Sequence, residues 1–144
     1  LDMLQAMNTG HEGSMGTIHA NNARDALRRI EHMVTLCGLD IPERTIRYNV
    51  GSALDLVVQV ARLQGGRRRV LEVAEITGIE GENILMQPIF QYQQEGIDED
   101  GRAFGKFHSC GVRPQILERL KVRGIKLPAS MFQQQVLDKD TDDE

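Results

Sequence analysis

The chain has 144 residues and a mass of 16.2 kDa, with 40% hydrophobic and 26% charged residues. That excludes collagen-like and largely disordered chains and provides for a single core. Its 17 cations and 21 acids are unevenly spread: Asp138–Glu144 holds one cation and five acids, leaving residues 1–137 with 16 of each sign. A domain built to embrace nucleic acid would be strongly basic, and this one is not. Two cysteines make no disulfide framework, and no apolar run approaches the roughly 20 residues of a membrane-spanning helix.

Residues 1–9 read as the closing turns of a helix, with Leu1, Leu4 and Met7 at helical spacing and Gly10 as the stop. A chain that opens inside an apolar pattern is expected to be part of something longer. Residues 14–19 are small and partly β-branched, bounded by Gly13 and by Asn21-Asn22, which predicts a buried strand. Asn21 or Asn22 then caps a helix over 23–37, Asp25 favouring its positive end. Leu27, Ile30, Met33, Val34 and Cys37 form its apolar stripe, and Gly38 ends it. Asp40 and Pro42 open a second helix lined by Ile46, Val50, Ala53 and Leu54. Helices and a strand in this order are the grammar of an α/β layer.

The texture then changes. Residues 56–63, 69–76 and 84–92 are β-rich runs separated by Gln64-Gly65-Gly66 and Gly81-Glu82-Asn83, so an antiparallel meander of three strands is expected. Pro88 belongs at an edge or bulge of the third. Residues 95–111 read as a polar loop, and 112–134 as a small helical region with its main helix over 113–123. The acidic end, 135–144, is expected to be disordered. The organisation is thus an α/β part over 1–94 followed by loop, helical region and tail.

Chemistry-bearing residues concentrate between Thr9 and Asn22, where two histidines, three glycines and several hydroxyls precede a helix start. With 13–19 extended, His11 and His19 stand at opposite ends of a strand, roughly 26 Å apart at about 3.3 Å per residue, and share no metal. No Cys-x-x-Cys or His-x-x-x-His pair occurs elsewhere, so no metal site is expected. His19 falls at the carboxyl end of the expected strand, the edge where open α/β sheets bind ligands. Thr17 points to the same side, and Asn21 and Asn22 sit at a helix N-terminus suited to anions. These residues are candidates to contact a nucleotide phosphate.

The stretch resembles the histidine box of the type II/type IV secretion ATPases, and within them the tight-adherence (Flp-type) pilus assembly ATPases. The pattern Thr-Gly-His-x-Gly-x-x-x-Thr-x-His-Ala stands at Thr9, Gly10, His11, Gly13, Thr17, His19 and Ala20. The resemblance continues through Arg24-Asp25-Ala26-Leu27, the hairpins and Gly111-Val112-Arg113-Pro114. It implies the C-terminal part of a RecA-like P-loop NTPase motor domain, carrying the antiparallel meander and a small helical end. The parent would be a hexameric ATPase using ATP and Mg²⁺. It would lie in the cytoplasm, peripheral to the inner membrane, against a membrane platform protein, with no nucleic-acid partner. His19, with Thr17, would sense the γ-phosphate; His11, Gly13 and Asn21 would hold box geometry. Arg62, Arg67, Arg68 and Arg69 would meet a neighbouring subunit.

One part of such a motor is missing from the sequence. No Gly-x-x-x-x-Gly-Lys-Ser/Thr occurs, and the only Gly-Lys pair, Gly105-Lys106, is followed by Phe107. The chain by itself is therefore expected neither to bind ATP tightly nor to hydrolyse it. A second reading is a non-enzymatic adaptor or nucleic-acid-binding β domain using Arg67, Arg68 and Arg69.

Overall fold

The computed structural model describes Asp2, Leu4 and residues 13–139; Asp2 and Leu4 are helical. The expectations for His11, for residues 5–12 and for 140–144 lie outside the described residues. In chain order the elements are α1 (Ala23–Leu36), α2 (Glu43–Ala53), β1 (Leu56–Arg62), β2 (Arg68–Glu80), β3 (Asn83–Ile97) and β4 (Ala103–Ser109). Helix α3 (Ile116–Val122), a 3₁₀ turn (Ala129–Phe132) and β5 (Gln135–Lys139) follow. The five strands form one sheet in the order β1-β2-β3-β4-β5, each strand beside its neighbour in sequence. The α/β character with an antiparallel meander is as expected. Two compact units divide the chain, 1–57 with 76–86 and 58–75 with 87–144.

In the first unit, α1 begins where Asn22 adopts an extended backbone and its Oδ1 accepts from the Asp25 amide at 2.9 Å. The buried stripe is Ala23, Ala26, Leu27 and Val34, with Ile30 packed beside it. Met33 and Cys37, expected on that stripe, are exposed. Cys37 is the C-cap, past the last full turn, and Ala23 and Ala26 occupy the face instead. Helix α2 starts directly after Pro42, whose fixed φ of −56° suits a helix entrance. Ile46, Val50 and Ala53 meet Leu27, Val34, Ile76 and Ile84 in one core. Gly51 lets α2 approach closely: a Cβ there would stand 2.8 Å from Ile79 Cγ1. Around the core, Arg47 pairs with Glu31 at 3.3 Å and donates to the Glu82 carbonyl, while Arg24 donates to the Ile84 carbonyl.

Residues 13–20 depart from expectation, because no strand forms there. A strand needs a ladder partner, and none faces this segment among the described residues. Exposure still alternates: Thr17, His19 and Asn21 are exposed, Ile18 and Ala20 half-buried.

In the second unit, positive φ at Gly65 (89°) and Gly66 (88°) turns the chain from β1 into β2. Strand β4 occupies 103–109, within the stretch expected to be a loop. Asp98 makes the reversal before it, its Oδ1 accepting from the amides of Asp100 (2.9 Å) and Arg102 (2.8 Å). The buried positions of β4 are the small residues Ala103, Gly105 and Ser109, with Phe107 half-buried on the same side, so the strand carries little hydrophobic signal. Its register with β3 runs from Phe90↔Ser109 to Ile97↔Ala103, with an irregularity between Gln94 and Gly96. Pro88, expected at an edge or bulge, lies in an interior strand; the β4 ladder starts at Phe90, beyond the proline, which has no N–H to offer it. Residues 135–139, expected within a disordered tail, pair with β4 as the edge strand β5. The small helical region is as expected, and Phe132 at its end stacks on Phe90 with ring centroids 5.8 Å apart.

Candidate functional site

The segment from Gly13 to Asp25 carries the candidate residues and belongs to the first unit. Gly13 has φ 88°, a conformation that favours glycine, and it is exposed. Thr17 and His19 are both exposed and share the outward parity of the segment. Two residues beyond His19 the chain enters α1. There the structure corrects the idea of an open anion site. Asn22 spends its carbonyl oxygen on the Asp25 amide and its Nδ2 on Asp25 Oδ2 (3.1 Å), and Asp25 pairs with Arg28 at 3.5 Å. The positive helix end is already capped and already faces a carboxylate, so a phosphate there would be repelled. Asn21 is exposed and is not the cap.

Among the described residues, what remains for a ligand is the His19 imidazole and the Thr17 hydroxyl, both in solvent reach. This fits a single contact to a nucleotide phosphate. It does not fit a phosphate cradle, which needs several converging backbone amides and a lysine. Among the described residues no three His, Cys, Asp or Glu side chains cluster to hold a metal ion, and no helix is long and apolar enough to cross a membrane.

The hairpin arginines do not form one patch. Arg62 and Arg68 are exposed, whereas Arg67 and Arg69 are half-buried. Successive β-strand side chains alternate between faces, so the run Arg67-Arg68-Arg69 cannot present three cations to one partner. Arg62 Nη2 lies over the turn, 3.2 Å from where a Gly66 Cβ would stand, and Arg69 Nη1 donates to the Arg68 carbonyl at 3.0 Å. The nucleic-acid reading loses its main support.

One feature escaped the sequence reading. Glu75 is 2% exposed, in the second unit. Its Oε1 accepts from Gln87 Nε2 and the Gln115 amide, and its Oε2 from the Ile116 amide, each at 2.8 Å. The carboxylate thereby serves the opening amides of α3 and ties β2 to β3. The available signal was a lone acid inside the apolar run Val73-Ala74-Glu75-Ile76, since a buried charge demands partners. The Cys110 thiol is pushed above its ordinary value by burial, with Glu72 adding to the effect. A thiol held protonated is a poor nucleophile, and His108 beside it in sequence does not make it a catalytic pair.

The family described as Type II/IV secretion system protein matches residues 1–108. A conjugal transfer protein TrbB of Rhizobium radiobacter is 35% identical over 95 residues, covering 66% of this chain and 28% of the relative. The type IV secretion system protein PtlH of Bordetella pertussis is 42% identical over 77 residues, 50% of this chain and 22% of the relative. A Mycobacterium tuberculosis protein whose name places it in conjugal transfer is 41% identical over 81 residues, 56% of this chain and 22% of its own length. The chain thus spans only about a quarter of these relatives. On the match over 1–108, which takes in the whole segment described above, the chain belongs to the type II/IV secretion system protein family.

Proposed function

We propose that this chain is the C-terminal part of the motor domain of a secretion, conjugation or pilus assembly ATPase. It senses the nucleotide and couples that state to neighbouring subunits. The observation that carries the reading is the histidine-box pattern from Thr9 to Ala20, inside the family match, with His19 and Thr17 exposed just ahead of α1. His19 reaches toward the terminal phosphate and Thr17 lies on the same side; Gly13, Asn21 and His11 shape the box. ATP with Mg²⁺, when bound, supplies the phosphoanhydride whose cleavage releases the free energy. The residues of this chain hold a donor at its rim. Arg62 and Arg68, the exposed pair of the hairpin arginines, face a neighbouring subunit of a hexameric ring, with Arg67 and Arg69 behind them. The ring works at the cytoplasmic face of the inner membrane against a platform protein. The relatives named for conjugal transfer and type IV secretion support that setting.

The test is phosphate release. The purified 144-residue chain shows no activity proportional to protein, because no phosphate-binding loop occurs in it. The longer protein that carries it, with such a loop, hydrolyses ATP. Protein-proportional hydrolysis by residues 1–144 alone would overturn the assignment of roles.

A further inference from the structure

The second unit holds a groove of about 680 Å³ beyond residue 108, and so outside the family match. Its floor is apolar: Leu117, Ile125, Leu127 and Phe132 line it. Phe132 is buried, but Ile125 is 50% and Leu127 41% exposed, apolar surface that folding leaves wet. The charged lining is of one sign, with Arg113, Lys121 and Lys126 and no carboxylate among the lining residues. Arg113 is engaged by Glu118 at 2.6 Å. Lys121 and Lys126 are exposed, and neither is paired to a carboxylate among the described residues. Cys110, also in the lining, adds no charge, since its thiol is held protonated.

We propose that this groove docks a short peptide segment of a partner protein in which large apolar side chains are flanked by carboxylates. The apolar floor rewards the first and the two lysines select the second. A concave site of this volume has room for a few such side chains. This chain's own acidic end is the nearest competitor. Residues 140–144 bring four carboxylates but no apolar side chain, and would leave the floor in water. The partner's apolar residues are what the groove lacks.

The test uses a fluorescein-labelled synthetic nonapeptide in which Leu and Phe alternate with Glu and Asp, titrated with the 144-residue chain and read by anisotropy. Two control peptides replace its acids with Lys or its apolar residues with Ser. The acidic–apolar probe binds saturably, both controls bind at least about tenfold more weakly, and added salt weakens the probe because the pairs are solvent-accessible. Lys121→Glu with Lys126→Glu, on exposed positions that leave the fold intact, weakens the probe by about tenfold or more, and Ile125→Ser also weakens it. No saturable binding, equal binding of the Lys-containing control, or undiminished binding to the double charge reversal would each overturn the proposal. Binding that emerges only after residues 140–144 are deleted would overturn it in favour of this chain's own end as the occupant.

Discussion

Glu75 shows how much one side chain can organise. A carboxylate at 2% exposure is tolerated only because three donors converge on it, two of them backbone amides at the start of α3. Glu75→Gln keeps the shape but turns an amide group toward those amides, so at least one buried donor loses its acceptor. The expected cost is about 1–3 kcal/mol, read as a lower urea midpoint, and an unchanged midpoint would contradict the capping role. Cys110 gives a prediction of the opposite chemical kind. Its raised pKa means the folded chain holds the thiol proton more tightly than the unfolded chain does. The associated stability is complete below the ordinary thiol range, near about pH 8.5, and declines as pH rises through the folded value. At pH 8 Cys110 in the native chain therefore reacts more slowly with a disulfide reagent than in urea, by mass-resolved labelling. Equal rates would remove the burial argument. Residue types gave notice of a cap at Asn21 or Asn22, of which Asn22 is the one used, and of Thr17 sharing a side with His19, but not of the exposure of both in a segment expected to be a buried strand. Glu75 was legible only as an anomaly in an apolar run, and its three partners, 12 to 41 positions away, were not legible at all.

Elements were readable where pattern and turn chemistry agreed. Helices α1 and α2 follow their caps and apolar spacing, and β1 and β2 follow Gly65-Gly66. The misreadings have physical reasons. Residues 14–19 have the composition of a strand, but a strand is a relation between two segments, and no partner is present among the described residues. Strand β4 was hidden for the opposite reason. Its partners exist, yet its buried residues, Ala103, Gly105 and Ser109, are small, and at Gly105 β3 runs too close for a side chain. A Cβ on Gly105 would collide with the Gln93 carbonyl oxygen. Gly105→Ala must push β4 away from β3, which costs about 1–3 kcal/mol. Thermal unfolding should register the loss as a drop of several degrees. A variant melting with the parent chain would show that the close approach is not required. Strand β5, read as tail, gains its order from β4: alone it is a five-residue segment, and beside β4 it becomes the sheet's edge strand.

For the whole molecule, charge bears on the choice of partner. With 16 charges of each sign over residues 1–137, and with the hairpin arginines split between faces, nothing builds a nucleic-acid footprint. The family match places the chain among type II/IV secretion system proteins, and on the proposed function this chain senses the nucleotide that other parts of the ATPase grip. The account then rests on His19. In the full-length ATPase that we propose carries this chain, His19→Ala should lower kcat at least about a hundredfold while changing ATP affinity by less than about threefold. A contact that strengthens as the phosphate departs acts on the transition state and hardly on the bound substrate. Steady-state kinetics with a parallel nucleotide-binding titration decides it: that split is the predicted result, and unchanged turnover in the variant would contradict the account.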